Sequence, residues 1–466
     1  MSHPSAPTAV RYRVLALACT LSMLTYLDRV CFGAAGPQIV RELGLTSVAD
    51  LQWAFWAFAA GYGLFEIPTG WWGDRFGVRN VLIRVVLWWS LFTALTGLVG
   101  LRVAGLTFGG LMTLTIIRFL FGAGEAGAFP NIARALHNWF PAHERGKAQG
   151  WVWMSGRLMG GLTPLVWMLL VSGTAYTAPI ISWRGAFAVF GLLGVVWCIV
   201  FARRFRNLPA DNPAVNAAER EQIDAGRVSE GLATGPIPWR RILFSRSLVC
   251  LYLMYFGITY GWYFNLTYLP ACLETRYGVE PTSVIGSLFK GGPLWLGAVG
   301  CLIGGYGTDA LLRSGMRRRW ARRLPGLVGV SLSAVCYLVA SDMPSAWSFA
   351  LAISLAAFFN DLMIGSAWAS CQDIGGRYTA IVCGCLNTAS SLGAAAAAWL
   401  SGMVLKDALS DHATAIGVSV ADLAGPDKIA ALADGYQTNL LIFAAVTIVS
   451  ALMWLGVDAE RPVQSE

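Results

Sequence analysis

The chain is 466 residues long, 56% of them hydrophobic and 13% charged. That charged share is about half of what an ordinary soluble domain carries, which makes a lipid bilayer the natural solvent and excludes a soluble binding module. The formal net charge of +8 does not indicate nucleic acid, because Lys and Arg cluster in short stretches between apolar runs, where they set membrane orientation.

A helix crosses hydrocarbon with about 20 apolar residues. Runs of that kind predict spans at 13–37, 51–72, 81–101, 107–131, 147–172, 183–203, 246–270, 284–310, 325–341, 346–371, 378–405 and 437–457. The first is not a cleaved signal peptide: it runs on to Pro37, contains Asp28 and Arg29, and lacks a small-residue cleavage pattern. The expected fold class is therefore an all-α membrane protein of twelve transmembrane helices in two pseudo-symmetric six-helix bundles. Residues 204–245, rich in Arg, Asn, Pro and Glu, form the longest polar segment. They divide the chain into a bundle at 1–203, a central loop at 204–245 and a bundle at 246–466.

Basic residues orient these spans. Arg11, Arg13, Arg75, Arg79, Arg84, Arg134, Arg145, Lys147, the arginines of 203–246, the run Arg313 to Arg323, Arg377 and Arg461 fall in the tails and alternate loops. The opposite loops hold Arg41, Arg102, Arg184, Arg276, Lys406 and Lys428. Both termini and the central loop are thus expected in the cytoplasm of a cell with an inner membrane. The stretch 406–436, with Asp411, Asp422, Asp427 and Asp434, is read as a long outward loop.

The second span ends in Gly70-Trp-Trp-Gly-Asp74-Arg75-Phe-Gly77-Val-Arg79, and the eighth in Gly305-Tyr-Gly-Thr-Asp309 followed by Arg313, Gly315, Arg317 and Arg318. The same order of Gly, Asp and basic residues after corresponding spans marks an internal repeat. Gly70 permits close helix approach, and Asp74 can accept bonds from a neighbouring helix end or an arginine and release them when the halves rock. The second copy lacks Arg directly after Asp309.

An ionisable side chain in hydrocarbon costs on the order of 2.5–3.5 kcal/mol on insertion scales, so each one is a functional candidate. They are Asp28, Arg29, Glu66, Arg118, Glu125, Arg157, Lys290 and Asp361. Asp28 and Arg29, being adjacent, point about 100° apart, while Tyr26 shares the face of Arg29. Self-neutralisation of Asp28 by Arg29 is the alternative to a functional pair. In Arg118-Phe-Leu-Phe-Gly122-Ala-Gly124-Glu125-Ala-Gly127-Ala-Phe-Pro130-Asn131, Arg118 and Glu125 are nearly two turns apart on one face, roughly 10 Å along the axis. Desolvation favours the protonated carboxyl and a nearby arginine the charged one, so a site that alternates between these settings can carry a proton. Arg157, among Gly156, Gly160 and Gly161, could bind a second anionic group or pair with Asp361. Lys290 is read as snorkelling to the outer interface, and Glu66 as bracing the Asp74 loop rather than coupling protons. Trp residues near span ends read as interface anchors, with Trp368 as the exception.

The loop at Gly70 to Arg79 and the twelve spans resemble the major facilitator superfamily over essentially the whole chain. The segments Tyr26-Leu-Asp28-Arg29, Arg118 to Asn131, and Trp368 to Gly393 across spans ten and eleven resemble its anion:cation symporter family, which includes proton-coupled permeases for galactonate, hexuronates and aromatic acids and, more distantly, vesicular glutamate transporters. The resemblance implies that Asp28 and Glu125 couple protons, that Arg29 and Arg118 attend to the anion and to those carboxylates, and that Tyr26, Tyr62, Trp368 and Asn387 line the substrate site. It implies that Gly70, Asp74, Arg75, Gly77 and Asp309 gate the conformational cycle. The expected activity is proton-driven import of a small organic anion, a sugar acid of the galactonate, glucarate or hexuronate type, by a monomer whose partners are that anion, protons and the bilayer. An aromatic or dicarboxylic acid is the alternative substrate, and a non-transporting sensor the alternative class.

No GxxxxGK[ST] loop supports ATP-driven transport. The ten cysteines are scattered, mostly within apolar runs, and outline neither a metal site nor a disulfide framework. The four His are placed in tails or loops, and no nucleophile and base pair stands out in the spans. Neither an enzyme, nor a metal, nor a cofactor is expected.

Overall fold

The computed structural model of the protein describes residues 6–45, 48–103, 106–173, 178–224, 233, 235–280 and 283–463. The rest of the expected central loop, 225–232 and 234 with Arg227, and His3 of the tail lie outside the described residues. The chain packs as two compact units, one of Met1–Ile242, Trp368–Thr388 and Glu460–Glu466, the other of Leu243–Ala367 and Ala389–Ala459.

In unit 1, α1 (Val10–Ala34) leads into the short α2 (Gly36–Leu43), which Pro37 starts at a position where its missing N–H is no loss. Then follow α3 (Gln52–Phe76) and α4 (Val78–Thr96). A two-residue antiparallel pair, β1 (Arg102–Val103) with β2 (Leu106–Thr107), precedes α5 (Leu111–Glu125) and α6 (Ala128–Trp139). Next come α7 (Arg145–Trp167), closed by a π turn at Met168–Ser172, α8 (Trp183–Arg204) and α9 (Ala217–Asp224). Helix α1 packs on α7, α3 on α5, and α4 on both α5 and α8. The α3–α5 crossing depends on two glycines: a Cβ at Gly61 would lie 2.3 Å from the Phe119 carbonyl, and one at Gly122 2.3 Å from the Phe58 carbonyl.

The first turn of α1 is held from α9. Ala9 has φ 57°, uncommon for a residue with a side chain. Beyond it, the Val10 and Arg11 N–H groups donate to the Glu219 carboxylate at 2.9 and 3.0 Å, and the Thr8 hydroxyl donates at 2.6 Å. Burial alone would raise the Glu219 carboxyl, but these donors and the Arg11 charge hold it below the usual range.

Helix α10 (Trp239–Phe244) leads out of unit 1. Unit 2 holds α11 (Arg246–Thr267), α12 (Leu269–Tyr277), α13 (Val284–Arg313), α14 (Arg318–Ser341) and α15 (Ala346–Asp361). After α16 (Ile364–Gly375) come α17 (Thr379–Ile416) and α18 (Gly425–Met453). Within unit 2, α13 packs on α15, α14 on α15 and α18, and α11 on α18. The second and fourth long helices of each unit thus pair, as do the third and sixth, which is the internal repeat in structural form.

Ten described stretches are long and apolar enough to cross a membrane. One of them, Ala346–Ile416, contains both α15 and α17. Helix α3, 25 residues long, falls outside this set and carries Glu66, Asp74 and Arg75. The long helices therefore number twelve among the described residues. Leu192, Leu351 and Trp399 are each more than half exposed in mid-helix, the surface a lipid solvent calls for.

Three expectations change. The fourth span is not one run to 131 but α5 and α6, parted at Ala126–Gly127 and continued to Trp139, because Arg134 and Asn138 are buried against protein. His137 lies in α6 and His412 in α17, not in loops. The outward loop 406–436 is mostly helix, since α17 runs to Ile416 and α18 starts at Gly425, with Ala413, Leu423 and Ala431 forming a small core of their own.

Candidate functional site

The candidate residues of unit 1 converge where α1, α3, α5, α7 and the segment 368–388 carry polar side chains inside the bundle. Arg29 does not neutralise Asp28. Its Nε donates to Glu125 Oε1 at 2.9 Å, its guanidinium lies 4.4 Å over the Tyr62 ring, and Nη2 has no partner. Glu125 is fully buried with Oε2 unpartnered, whereas 26% of the Arg29 side chain is accessible. Arg29 is therefore the more exposed member of the pair.

Asp28 is buried, with Oδ1 unbonded, and the charges of Glu125 and Arg118 act on it. Arg118 sits in an aromatic cage, 4.2 Å over Phe32, 4.4 Å over Phe121 and 5.0 Å over Phe58, with Nε unpartnered. A guanidinium is less strongly hydrated than an ammonium and stacks on aromatic faces, which suits a buried cation that forms no ion pair among the described residues.

Asn387 Nδ2 donates to the Tyr62 hydroxyl at 3.0 Å and to Glu66 Oε1 at 2.5 Å. Glu66 thus faces the Asn387 and Tyr62 side chains and not the Asp74 loop, contrary to expectation. The signal for this was in the sequence: Tyr62 and Glu66 are four apart and share a helix face. Trp368 is fully buried, 5.2 Å from Trp153, and Trp153 stacks on Phe129 at 4.5 Å. Phe129 meets Tyr26 edge-on at 6.5 Å, and the Tyr26 hydroxyl accepts from Arg157 Nη1 at 3.2 Å. Phe129 and Trp153 escaped sequence reading because apolar aromatics in a span look the same whether they face lipid or a site. Arg157 itself is buried.

Asp74 lies at one end of unit 1, fully buried. Its Oδ1 accepts the Ala380 N–H at 3.1 Å and its Oδ2 the Ile381 N–H at 2.8 Å, which caps the first turn of α17, and Arg134 Nε lies 3.6 Å away. Gly70 makes the approach possible, since a Cβ there would meet the Ala380 carbonyl at 2.5 Å. Gly77, at φ 86°, starts the turn into α4, a conformation that favours glycine. Arg75 is exposed and has no partner among the described residues. Arg145 Nη1, at 2.6 Å from Asp373, and Arg134 Nη1, at 2.5 Å from the Gly376 carbonyl, tie the same segment down. Asp373 was not anticipated. In unit 2, Asp309 pairs with Arg322 of α14 at 3.3 Å, just as Asp74 has Arg134 of another helix beside it.

Long helices of the length and apolarity that cross a membrane, with a buried set of carboxylates, guanidiniums and aromatics inside unit 1, describe a multi-pass membrane protein. Residues 18–398 match the Major Facilitator Superfamily. The chain is 33% identical over 381 residues to the probable sulfoacetate transporter SauU of Cupriavidus necator, covering 81% of this chain and 83% of that one. It is 29% identical to the probable galactarate/D-glucarate transporter GudP of Bacillus subtilis, over 78% and 79% of the two chains. It is 28% identical to the D-galactonate transporter of Escherichia coli, over 84% and 88%. The solved proton:xylose symporter XylE, bound to 6-bromo-6-deoxy-D-glucose, superposes with a TM-score of 0.70 at 14% identity over 97% of this chain and 98% of that one, a likeness of fold. The chain belongs to the major facilitator superfamily.

Proposed function

We propose that the protein is a proton-coupled symporter that imports a small organic anion across the inner membrane as a monomer, with both termini in the cytoplasm. The observation that carries this reading is the Arg29–Glu125 pair at 2.9 Å, in which one guanidinium nitrogen and one carboxylate oxygen are left over. Protonation of Glu125 releases Arg29, whose planar fork then matches a substrate carboxylate or sulfonate. Deprotonation draws Arg29 back and expels the anion. Asp28 is the second proton carrier, while Tyr26, Tyr62, Arg118, Arg157, Trp368 and Asn387 surround the anion.

Coupling follows because an anion without its protons, or protons without the anion, leaves uncompensated charge in a site that must close. Asp74, with Gly70, Arg75 and Gly77, and Asp309 in the second half form latches that break and re-form as the bundles 1–203 and 246–466 alternate about the loop 204–245. Relatives named for sulfoacetate, galactarate/glucarate and galactonate transport support an organic acid as the cargo. Positive residues in alternate loops support the orientation.

Uptake of galactonate, glucarate, sulfoacetate and an aromatic acid into proteoliposomes, with the outside acidic, tests the reading. Accumulation that collapses when the pH gradient is dissipated is the expected result. Uptake indifferent to the gradient would overturn the coupling, and no uptake of any of the four would overturn the cargo.

A further inference from the structure

Glu66 stands outside the Arg29–Glu125 pair yet is connected to it. The carboxyl is fully buried on α3, Oε1 accepts from Asn387 Nδ2 at 2.5 Å, and Oε2 has no partner. Asn387 also donates to the Tyr62 hydroxyl, and the Tyr62 ring lies under the Arg29 guanidinium at 4.4 Å. The groups that act on Glu66 are Asn387 and Thr388 of the 368–388 segment, Tyr62 of its own helix, and Arg29 of α1 as the one charge. No cation lies within ion-pair distance of Glu66 among the described residues. Arg29, the cation it feels, is already committed to Glu125.

A buried carboxylate without a paired cation is expensive, and the group escapes by taking up a proton. When Glu125 is ionised and holds Arg29, Glu66 has only neutral donors. Arg29 lies over Tyr62, on the helix face that Tyr62 shares with Glu66, so a shift of Arg29 from Glu125 to an anion takes place beside Glu66. The charge that Glu66 meets therefore changes with substrate occupancy.

We propose that Glu66 is a third proton-carrying carboxyl of the transport cycle, linked to Arg29 through Asn387 and Tyr62. The step is a proton transfer alone: the carboxyl gains a proton from water on one side and returns it on the other, and no bond other than O–H is made or broken. This inference rests on the proton-coupled reading above and adds a proton to it.

The test is the proton-to-substrate ratio in proteoliposomes, read from the reversal of galactonate, glucarate or sulfoacetate flux under opposed pH and substrate gradients. Glu66→Gln is expected to lower the ratio by one relative to wild type, and Glu66→Asp, which keeps a carboxyl, to retain it. An unchanged ratio in Glu66→Gln overturns the inference while leaving the coupling by Glu125 intact, whereas a wild type that moves no protons overturns the reading beneath it. Should Glu66→Gln fail to fold, Asn387→Ala takes its place, removing the donor and keeping the carboxyl. Its ratio should stay at the wild-type value while the pH midpoint of uptake moves by about half a unit or more, given the sensitivity of a carboxyl to a hydrogen-bond donor. A midpoint that does not move overturns the inference.

Discussion

Asp74 accepts the backbone N–H of Ile381 at 2.8 Å across 307 residues of chain, and its other oxygen takes the N–H of Ala380. One side chain at the end of α3 therefore does for α17 what an N-cap residue of its own would do. Each hydrogen bond to a charged acceptor contributes about 1.5–3 kcal/mol, so the latch is strong when closed and has to be broken whole. Asp74→Asn keeps one acceptor oxygen and loses the charge opposite Arg134. Turnover is expected to fall about tenfold while substrate affinity stays within a few fold, checked by comparing uptake rate with ligand binding on purified protein. A large loss of affinity with normal conformational exchange would contradict the latch.

Glu125→Gln imitates the protonated acid permanently and releases Arg29. Accumulation against a gradient should disappear, while exchange of internal for external substrate continues. If the variant still concentrates substrate under a pH gradient, Glu125 is not a coupling group.

Arg29 offers Nε to Glu125 and leaves Nη2 for a ligand. Lysine keeps the charge but loses the fork and the stacking over Tyr62. Arg29→Lys should weaken anion binding by tenfold or more in a direct binding measurement. Near-native affinity in the double variant Asp28→Asn with Arg29→Gln would remove Arg29 from the substrate site.

Arg157, bound to the Tyr26 hydroxyl, places a second cation beside the face that Tyr26 shares with Arg29. Its replacement by Gln should lower the uptake ratio of doubly charged glucarate or sulfoacetate to singly charged galactonate by about tenfold, on the order of one lost charge-assisted contact. Equal losses for both classes would assign Arg157 a packing role.

Glu219 supplies a prediction outside the spans. Its folded carboxyl is held below the ordinary range, so the native state prefers it ionised. The stabilisation is then complete above the unfolded value of about 4.3 and is lost as pH falls through the lower folded value. Hydrogen exchange at the Val10 and Arg11 amides, measured against the intrinsic rate at each pH, should accelerate below that point in wild type. In Glu219→Gln it should be fast at every pH, and slow exchange in that variant would show that the cap is dispensable.

The twelve helices were legible because each apolar run is long and the ends are marked by charge, Gly and Pro. Site residues such as Asp28, Arg29, Arg118 and Glu125 could be singled out because an ionisable group in a span is rare. What sequence could not show was pairing: helix geometry set Asp28 and Arg29 about 100° apart but left the partner of Arg29 open, and the structure turns it towards Glu125. Glu66 was assigned to the loop nearest in sequence because its true neighbour, Asn387, is 321 residues away. The extension at 406–436 read as a loop because its acidic residues lower hydropathy, which reports the solvent around a helix and not the presence of one.

The cap on α1 has a consequence for how the chain is made. Val10 waits 209 residues for Glu219, which at ribosomal rates of about 5–20 residues per second is roughly 10–40 s. The first helix therefore leaves the ribosome with its leading turn capped by water alone, and its end is fastened in place after all six long helices of its bundle have been synthesised.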